Sequence, residues 1–136
     1  MNTEQSRRVA LSFVEHFSAG RAEQALDLLA DEMEWWVAGH AAQFPLAGSY
    51  RKTDLPDLFL WIGKALPNGV RVEVLGVTAE RSRVALEVEA RGSTAGGEDY
   101  CNRIHFLFEV GDAGKIIRVR EYLDTQHAFQ KLVAPS

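Results

Sequence analysis

Hydrophobic side chains in the first half of the chain recur every three to four residues, which predicts amphipathic helices. The spacing places these helices at residues 3–19, 22–30 and 54–66. Gly20 is placed to end the first helix, Thr53 or Asp54 to cap the third, and Pro56 is tolerated in its first turn. Residues 32–38, which contain two adjacent tryptophans, predict a short strand, and a loop follows it.

From Val70 onward hydrophobic residues alternate with polar ones, and this period of two predicts four long strands. Glycine-containing segments at 93–97 and 111–114 predict hairpin turns. Two of the predicted strands carry a polar residue on an otherwise apolar face. These faces are Tyr100, Asn102, Ile104, Phe106, Phe108 and Val110 in one strand, and Ile117, Val119, Glu121 and Leu123 in the next.

Helices first and an antiparallel meander afterwards predict an α+β fold in a single domain of 136 residues. Four long strands cannot close into a full barrel, so we expect a curved sheet wrapped like a cone around about three helices. Such a cone leaves a cavity between the sheet and the helices. Its convex side would expose apolar area if Val84, Leu86 and Val88 pointed outward, and we expect a homodimer that covers this face.

Composition and charge narrow the classes of partner. The formal net charge of −4 argues against a general nucleic-acid-binding protein, because such proteins carry a basic surplus on one face. The longest apolar runs are far shorter than the ~20 residues that cross a bilayer, so we expect no membrane partner. The first residues lack a signal-peptide pattern, and Cys101 has no second cysteine to pair with. These features predict a cytoplasmic protein.

The sequence contains no recognisable motif for a metal or a cofactor. No two of the four histidines have the spacing of metal ligands. A phosphate-binding loop and a dinucleotide-binding glycine motif are also absent. We therefore expect neither a metal ion nor a cofactor.

Glu121 is the strongest candidate for chemistry because it is a carboxylate on a strand face that is otherwise apolar. In a hydrophobic cavity, desolvation would raise the pKa of this side chain and suit it to general acid or base catalysis. The alternative is a structural carboxylate in a salt bridge with Arg91, Arg103 or Arg120. The sequence leaves both interpretations open.

Three further residues are candidates for ligand binding, and each has a structural alternative. Asn102 would orient a ligand oxygen, or else it would satisfy Glu121. Trp35 and Trp36 have opposite parities, and we assign Trp36 to the pocket wall, although a large core residue is the simpler explanation. Tyr50 lies in the loop that would rim the cavity, where its hydroxyl would meet a substrate oxygen or a local hydrogen-bond partner.

The order of these elements resembles that of the SnoaL-like group in the nuclear transport factor two and ketosteroid isomerase superfamily. The resemblance rests on the Gly-Asp-Ala-Gly-Lys-Ile turn at 111–116, the Arg-Glu-Tyr-Leu-Asp-Thr ending at 120–125 and the Leu-Leu-Ala-Asp-Glu segment at 28–32. It covers nearly the whole chain and implies the cone-shaped α+β fold. The superfamily includes isomerases, polyketide cyclases, epoxide hydrolases, dehydratases and non-enzymatic binding proteins, so it implies no single activity.

The resemblance also identifies the positions at which ketosteroid isomerases carry a catalytic tyrosine, a carboxylate base and a protonated aspartate. In this sequence those positions fall at about Phe13, Val37 and Phe106, which are all apolar. An enolate would find neither a base nor hydrogen-bond donors there. We therefore do not expect steroid isomerisation by that mechanism.

The limonene-epoxide-hydrolase branch of the superfamily uses two carboxylates that an arginine bridges around a water molecule. Glu121 is similar in place to one of these carboxylates. Glu87, Glu89 and Arg91 would supply the rest of the set only if their strand face points inward.

Two classes of function follow from these residues. The first is a cofactor-free enzyme that acts by proton transfer on a hydrophobic, oxygenated small molecule, as an isomerase, cyclase, dehydratase or hydrolase. Glu121 would move the proton, while Asn102 and Tyr50 would orient oxygen atoms. The pocket wall would consist of Trp36, Phe106 and Phe108. The second class is a non-catalytic ligand-binding or partner-binding domain.

Overall fold

The computed structural model describes residues 1–134, which form a six-stranded sheet with helices against one face. The strands are β1 (Leu29–Val37), β2 (Gly48–Arg51), β3 (Arg71–Glu80), β4 (Arg83–Ser93), β5 (Asp99–Val110) and β6 (Ile116–Tyr122). The helices are α1 (Thr3–Ser18), α2 (Ala22–Asp27), α3 (Leu55–Ala65) and α4 (Thr125–Ala128), with a 3₁₀ turn at Lys52–Asp54 and a π-helical turn at Phe129–Val133. The predicted α+β fold is confirmed.

The six strands lie in the order β2-β1-β6-β5-β4-β3. Neighbouring strands are antiparallel except β1 and β6, which run parallel. The four long strands predicted from residue 70 onward are consecutive antiparallel neighbours, and β1 joins them beside β6. The sheet curves without closing, so it has a concave inner face toward the helices and a convex outer face.

The first two helices differ in how well their ends follow the sequence pattern. Asn2 caps α1, because its side chain accepts a hydrogen bond from the Gln5 amide at 2.8 Å and the Gln5 side chain reciprocates. Gly20 follows the helix with a φ of +78°. The predicted second helix is too long, since α2 ends at Asp27 and Leu29 already belongs to β1. No helix within residues 1–134 combines the length and the apolarity that a bilayer crossing needs.

The structure contains one strand that the sequence pattern does not predict. Gly48–Arg51 forms β2 inside the segment interpreted as a loop, and Tyr50 pairs there with Trp35 of β1. Its four residues are too few to display a clear alternation. Asp54 is the N-cap residue of α3, but its side chain makes no capping hydrogen bond to that helix. It accepts a hydrogen bond from the Arg51 amide at 2.8 Å, across the 3₁₀ turn.

The turn between β5 and β6 contains glycines where its geometry requires them. Gly114 has a φ of +80°, a backbone conformation that favours glycine. At Gly111, a Cβ atom would lie 2.8 Å from Cγ2 of Ile117, closer than real Cβ atoms approach. The Gly111 amide donates a hydrogen bond to the Lys115 carbonyl at 2.8 Å, so the hairpin turn predicted here is present.

The strand β3 contains an irregularity that strict alternation does not predict. Its register with β4 shifts between Val74 and Gly76, so that Val77 pairs with Leu86. Leu75 lies at the shift and is exposed. Because a bulge inserts one extra residue, Val77 rather than Gly76 continues the inner face.

The outward orientation considered for Val84, Leu86 and Val88 is wrong. All three side chains are completely buried on the inner face of β4. The alternate residues, including Glu87 and Arg91, lie on the outer face. The apolar area on which we based the expectation of a dimer is therefore part of the core of one chain.

Candidate functional site

A cavity of about 100 Å³ lies between the inner face of the sheet and the helices α1 and α3. Aromatic rings form much of its wall, including Phe13 and Phe17 of α1, Trp35 of β1, Phe59 of α3 and Phe106 of β5. Trp35 meets Phe106 and Phe59 edge to face, at ring-centroid distances of 6.0 and 6.4 Å. A concave, apolar site with a few polar groups is typical of a small-molecule pocket.

Few polar side chains reach this cavity. Among the described residues that line it, the side chains with polar atoms are Trp35, Tyr50, Tyr100 and Glu121. Glu121 is the one acidic group of that lining, which includes no lysine, arginine or histidine. Across residues 1–134, no three His, Cys, Asp or Glu side chains are grouped to hold a metal ion. A ligand in the cavity therefore meets hydrogen-bonding groups but no fixed positive charge from the described lining residues.

Glu121 enters the cavity from β6, where it lies opposite Phe106 of β5 and beside Val37 of β1. Burial raises the pKa of its carboxyl from the ordinary 4.5 to about 7, and a hydrogen bond from Trp35 opposes part of that rise. In this bond Trp35 Nε1 donates to Glu121 Oε1 at 3.0 Å. Near neutral pH both protonation states of the carboxyl are populated, as general acid or base catalysis requires.

The structural alternative for Glu121, a salt bridge with Arg91, Arg103 or Arg120, is not formed within the described residues. Arg91 and Arg103 both bind Glu89 on the outer face, and Arg103 Nε lies 3.0 Å from Glu89 Oε2. Hydrogen bonds from Arg91 and then from Arg103 lower the pKa of the Glu89 carboxyl. The two faces of the sheet therefore shift the pKa values of these two carboxyls in opposite directions.

Two tyrosine hydroxyls complete the polar lining. Tyr50 belongs to β2, and its hydroxyl donates a hydrogen bond to the Leu46 carbonyl at 2.7 Å. Tyr100 lies near the start of β5, and its ring stacks on His127 at a centroid distance of 5.4 Å. Burial raises the pKa of both hydroxyls, so both stay neutral. Tyr100 was not recognised as a site residue, although it shares its strand face with Phe106.

The assignment of Trp36 to the pocket wall is wrong, because Trp35 occupies that place. Trp35 is buried and lines the cavity. Trp36 points to the outer face, where its ring packs against Tyr122 at a centroid distance of 5.4 Å. The signal for the correct choice was in the sequence, since Trp35 shares its parity with Met33 and Val37, which are both buried.

Two other predicted pocket residues stabilise the fold instead of lining the cavity. The Asn102 amide makes two hydrogen bonds to the backbone of Asp124, donating to its carbonyl and accepting from its N–H, each at 3.0 Å. It does not bind Glu121, and it does not line the cavity. Phe108 is completely buried behind Phe106, at a ring-centroid distance of 5.5 Å. Phe106 itself lines the cavity.

The positions that correspond to the catalytic residues of ketosteroid isomerases, Phe13, Val37 and Phe106, all line the cavity. All three are apolar. The carboxyl that reaches the cavity belongs instead to Glu121, which lies on the strand beside Val37.

An arrangement of the epoxide-hydrolase kind requires a second carboxylate and an arginine on the inner face. Glu87, Glu89 and Arg91 lie on the outer face of β4, so they do not join Glu121.

Comparisons with known proteins agree with this architecture. The model of the SnoaL-like domain matches residues 10–119. No curated protein matches the sequence at a significant level.

Solved structures with the same fold include an NTF2-like protein from Burkholderia xenovorans, with 22% identity, a TM-score of 0.76 and coverage of 97% of this chain and 98% of that one. An LEH-like epoxide hydrolase from Mycobacterium tuberculosis has 18% identity, a TM-score of 0.75 and coverage of 96% and 91%. A protein assigned as a SnoaL-like polyketide cyclase, from Jannaschia, has 15% identity, a TM-score of 0.79 and coverage of 98% and 95%.

At these identities the solved structures establish the fold alone, and the family assignment rests on the domain match over most of the chain. The cone-shaped α+β fold and the order of its elements agree with that match. The chain belongs to the SnoaL-like domain family, and its fold is shared with NTF2-like proteins.

Proposed function

We propose that this protein binds an uncharged, largely apolar small molecule that carries an oxygen atom, and that Glu121 exchanges a proton with it. The observation that carries the proposal is the placement of a single carboxyl, without a cationic partner among the described residues, in an aromatic cavity. When protonated, Glu121 donates a hydrogen bond to a carbonyl or ether oxygen. When ionised, it accepts a proton from an acidic C–H or O–H group.

The charge of the cavity selects the class of ligand. An anion would meet a carboxyl and no arginine, lysine or histidine among the described lining residues, so its desolvation would go uncompensated. The neutral hydroxyl of Tyr100 can donate a hydrogen bond to a ligand oxygen, whereas the Tyr50 hydroxyl donates to the Leu46 carbonyl and offers a ligand only an acceptor. The names of two structural neighbours, an epoxide hydrolase and an assigned polyketide cyclase, support an oxygen-bearing substrate.

Three probe molecules, each with a single aromatic ring but with different charges, test this ligand class. Acetophenone is neutral, benzoate is an anion and benzylammonium is a cation, and isothermal titration calorimetry would measure their binding at pH 6 and pH 8.5. We expect acetophenone to bind best, and more weakly at pH 8.5, because ionised Glu121 no longer donates to the carbonyl. Benzoate binding as tight as that of acetophenone, or preferred binding of benzylammonium at both pH values, would overturn the proposal.

A hydrogen-exchange assay tests the proton transfer separately from binding. In D₂O, ionised Glu121 would take a proton from the methyl group of bound acetophenone and leave an enolate, and a deuteron delivered to the same carbon would restore the ketone. Proton NMR should show faster loss of the methyl signal with the native protein than with Glu121→Gln. Binding without faster exchange would favour the alternative function, a non-catalytic ligand-binding domain.

We infer further that a second copy of the chain covers the outer face of the sheet. Trp36 and Tyr122 pack together there beside a cross-strand row whose charge alternates over all six strands. This row consists of Arg51, Glu34, Arg118, Glu109, Arg83 and Glu80. A two-fold axis that lies between the two facing sheets, perpendicular to the row, would reverse the order of the row in the second copy. Every charge would then face its complement.

A further inference from the structure

The side chain of Glu121 has one hydrogen-bond partner within the described residues, the indole of Trp35. The Nε1–Oε1 distance of 3.0 Å is ordinary for such a bond. The two residues are 86 positions apart in sequence and meet because β1 runs beside β6. Glu121 Oε2 makes no hydrogen bond to the described part of the chain, and it is the oxygen available to a ligand.

The indole of Trp35 is held in place by the aromatic rings around it. Its ring lies 5.6 Å from Phe13, 6.0 Å from Phe106 and 6.4 Å from Phe59, measured between centroids. The side chain is 5% exposed, so its N–H has a fixed direction. The rings come from α1, β5 and α3, and no single local segment could fix the indole in this way.

An indole N–H can donate a hydrogen bond but cannot accept one. The oxygen that receives it, Oε1, is therefore best kept as the carbonyl oxygen of the neutral carboxyl, and the proton resides on Oε2. An arginine in the same place would pair with the carboxylate and keep it ionised, as Arg91 and Arg103 do for Glu89. The indole orients the carboxyl without adding a charge.

We propose that Trp35 is a positioning residue for Glu121: its indole holds Oε1 and presents Oε2, with or without a proton, to the ligand. This inference rests on the proposed function, in which Glu121 exchanges a proton. It also extends that function, because it assigns different roles to the two oxygens of one carboxyl. Trp35 does not itself react.

The indole proton of Trp35 allows the proposal to be tested in the unaltered protein. The chain has three tryptophans, so a ¹H–¹⁵N spectrum shows three indole signals, which Trp35→Phe and Trp36→Phe would assign. As the pH rises, the Trp35 signal should shift with the same midpoint as the Glu121 carboxyl carbon, because ionisation strengthens this bond. The Glu121 carbon is assigned as the signal that Glu121→Gln removes. A Trp35 signal that stays constant through that midpoint would overturn the proposal.

A matched pair of variants provides a second measurement. Trp35→Phe keeps an aromatic ring but removes the N–H, so ionised Glu121 loses its donor and its titration midpoint should rise by about one pH unit. Trp36→Phe makes the same change on the outer face and should leave the midpoint unchanged. Equal midpoints in the two variants would refute the positioning role.

These readouts separate failure of this inference from failure of the proposed function. Both titrations are measured without a ligand. If acetophenone does not bind but the indole titrates with Glu121, the hydrogen bond stands and the proposed function fails. If acetophenone binds in a pH-dependent way but the indole signal is constant, the proposed function stands and the role of Trp35 fails.

Discussion

Replacing Glu121 with glutamine should make the protein more stable, and more so as the pH rises. Burial raises the pKa of this carboxyl from 4.5 to about 7, so the folded chain holds the proton more tightly than the unfolded chain does. At about 1.4 kcal/mol per pH unit, the ionised folded state is disfavoured by about 3 kcal/mol. Glutamine has no ionised form, and its side-chain oxygen can still accept the hydrogen bond from Trp35.

The sign and the pH range of this effect follow from the two pKa values. Below pH 4.5 the carboxyl is protonated in both the folded and the unfolded chain, so the substitution changes little. Between pH 4.5 and about 7 only the unfolded chain ionises, and the native protein loses stability relative to Glu121→Gln. Above pH 7 the cost of ionising the buried carboxyl is complete and the difference no longer grows.

Urea unfolding of both proteins at several pH values would measure the effect. Contributions from every other titrating group cancel in the difference, because the two chains share them. The difference in the free energy of unfolding should grow by about 2.5 kcal/mol between pH 5 and pH 8.5. A constant difference over this range would refute the reasoning, since it would mean that the carboxyl is not desolvated in the folded state.

Three further substitutions test other parts of the structure. Asn102→Ala should cost about 2 kcal/mol in urea unfolding, because it leaves two backbone groups of Asp124 unpaired, and calorimetry should show unchanged acetophenone binding. Glu89→Gln should show the opposite pH dependence to that expected for Glu121→Gln. The native protein should be more stable than Glu89→Gln at neutral pH and should lose this advantage as acid protonates the Glu89 carboxyl and breaks its ion pairs. Trp36→Glu should convert a dimer to a monomer in light scattering, because it puts a charge on the outer face.

Each of these expectations has an outcome that contradicts it. If Asn102→Ala lost acetophenone binding but kept its stability, the Asn102 amide would belong to the ligand site. A stability difference for Glu89→Gln that stays constant as the pH falls through the acid range would mean that the arginines do not bind this carboxylate. A native protein that stays monomeric at high concentration would contradict the proposed dimer.

The faces of the long strands were predictable from the sequence because each has one buried side. Val84, Leu86 and Val88 share one parity and are all buried, as period two requires. Parity did not say which side of the sheet is covered, so the same three residues were also considered for the outer surface. That choice depends on where the helices pack, and the alternation within a strand contains no information about it.

The neighbours of Trp35 and Trp36 in the sequence indicate which of the two tryptophans faces inward. Met33, Trp35 and Val37 share one parity of β1 and are buried, while Glu34 shares the other parity with Trp36. The charge of Glu34 identified the outer face. Size alone does not distinguish the two tryptophans, because either ring could line a pocket, whereas the neighbours of each residue do distinguish them.

The sequence by itself determined the helices, the long strands and their hairpins, because these depend on local spacing and on residues such as Gly114 that few others can replace. It also placed Glu121 on an apolar face. Only the tertiary structure decided that β1 pairs in parallel with β6, which brings Trp35 to Glu121 across 86 residues. The pKa of Glu121 depends on what surrounds the carboxyl in space, so chemistry at this site is a property of the packed fold.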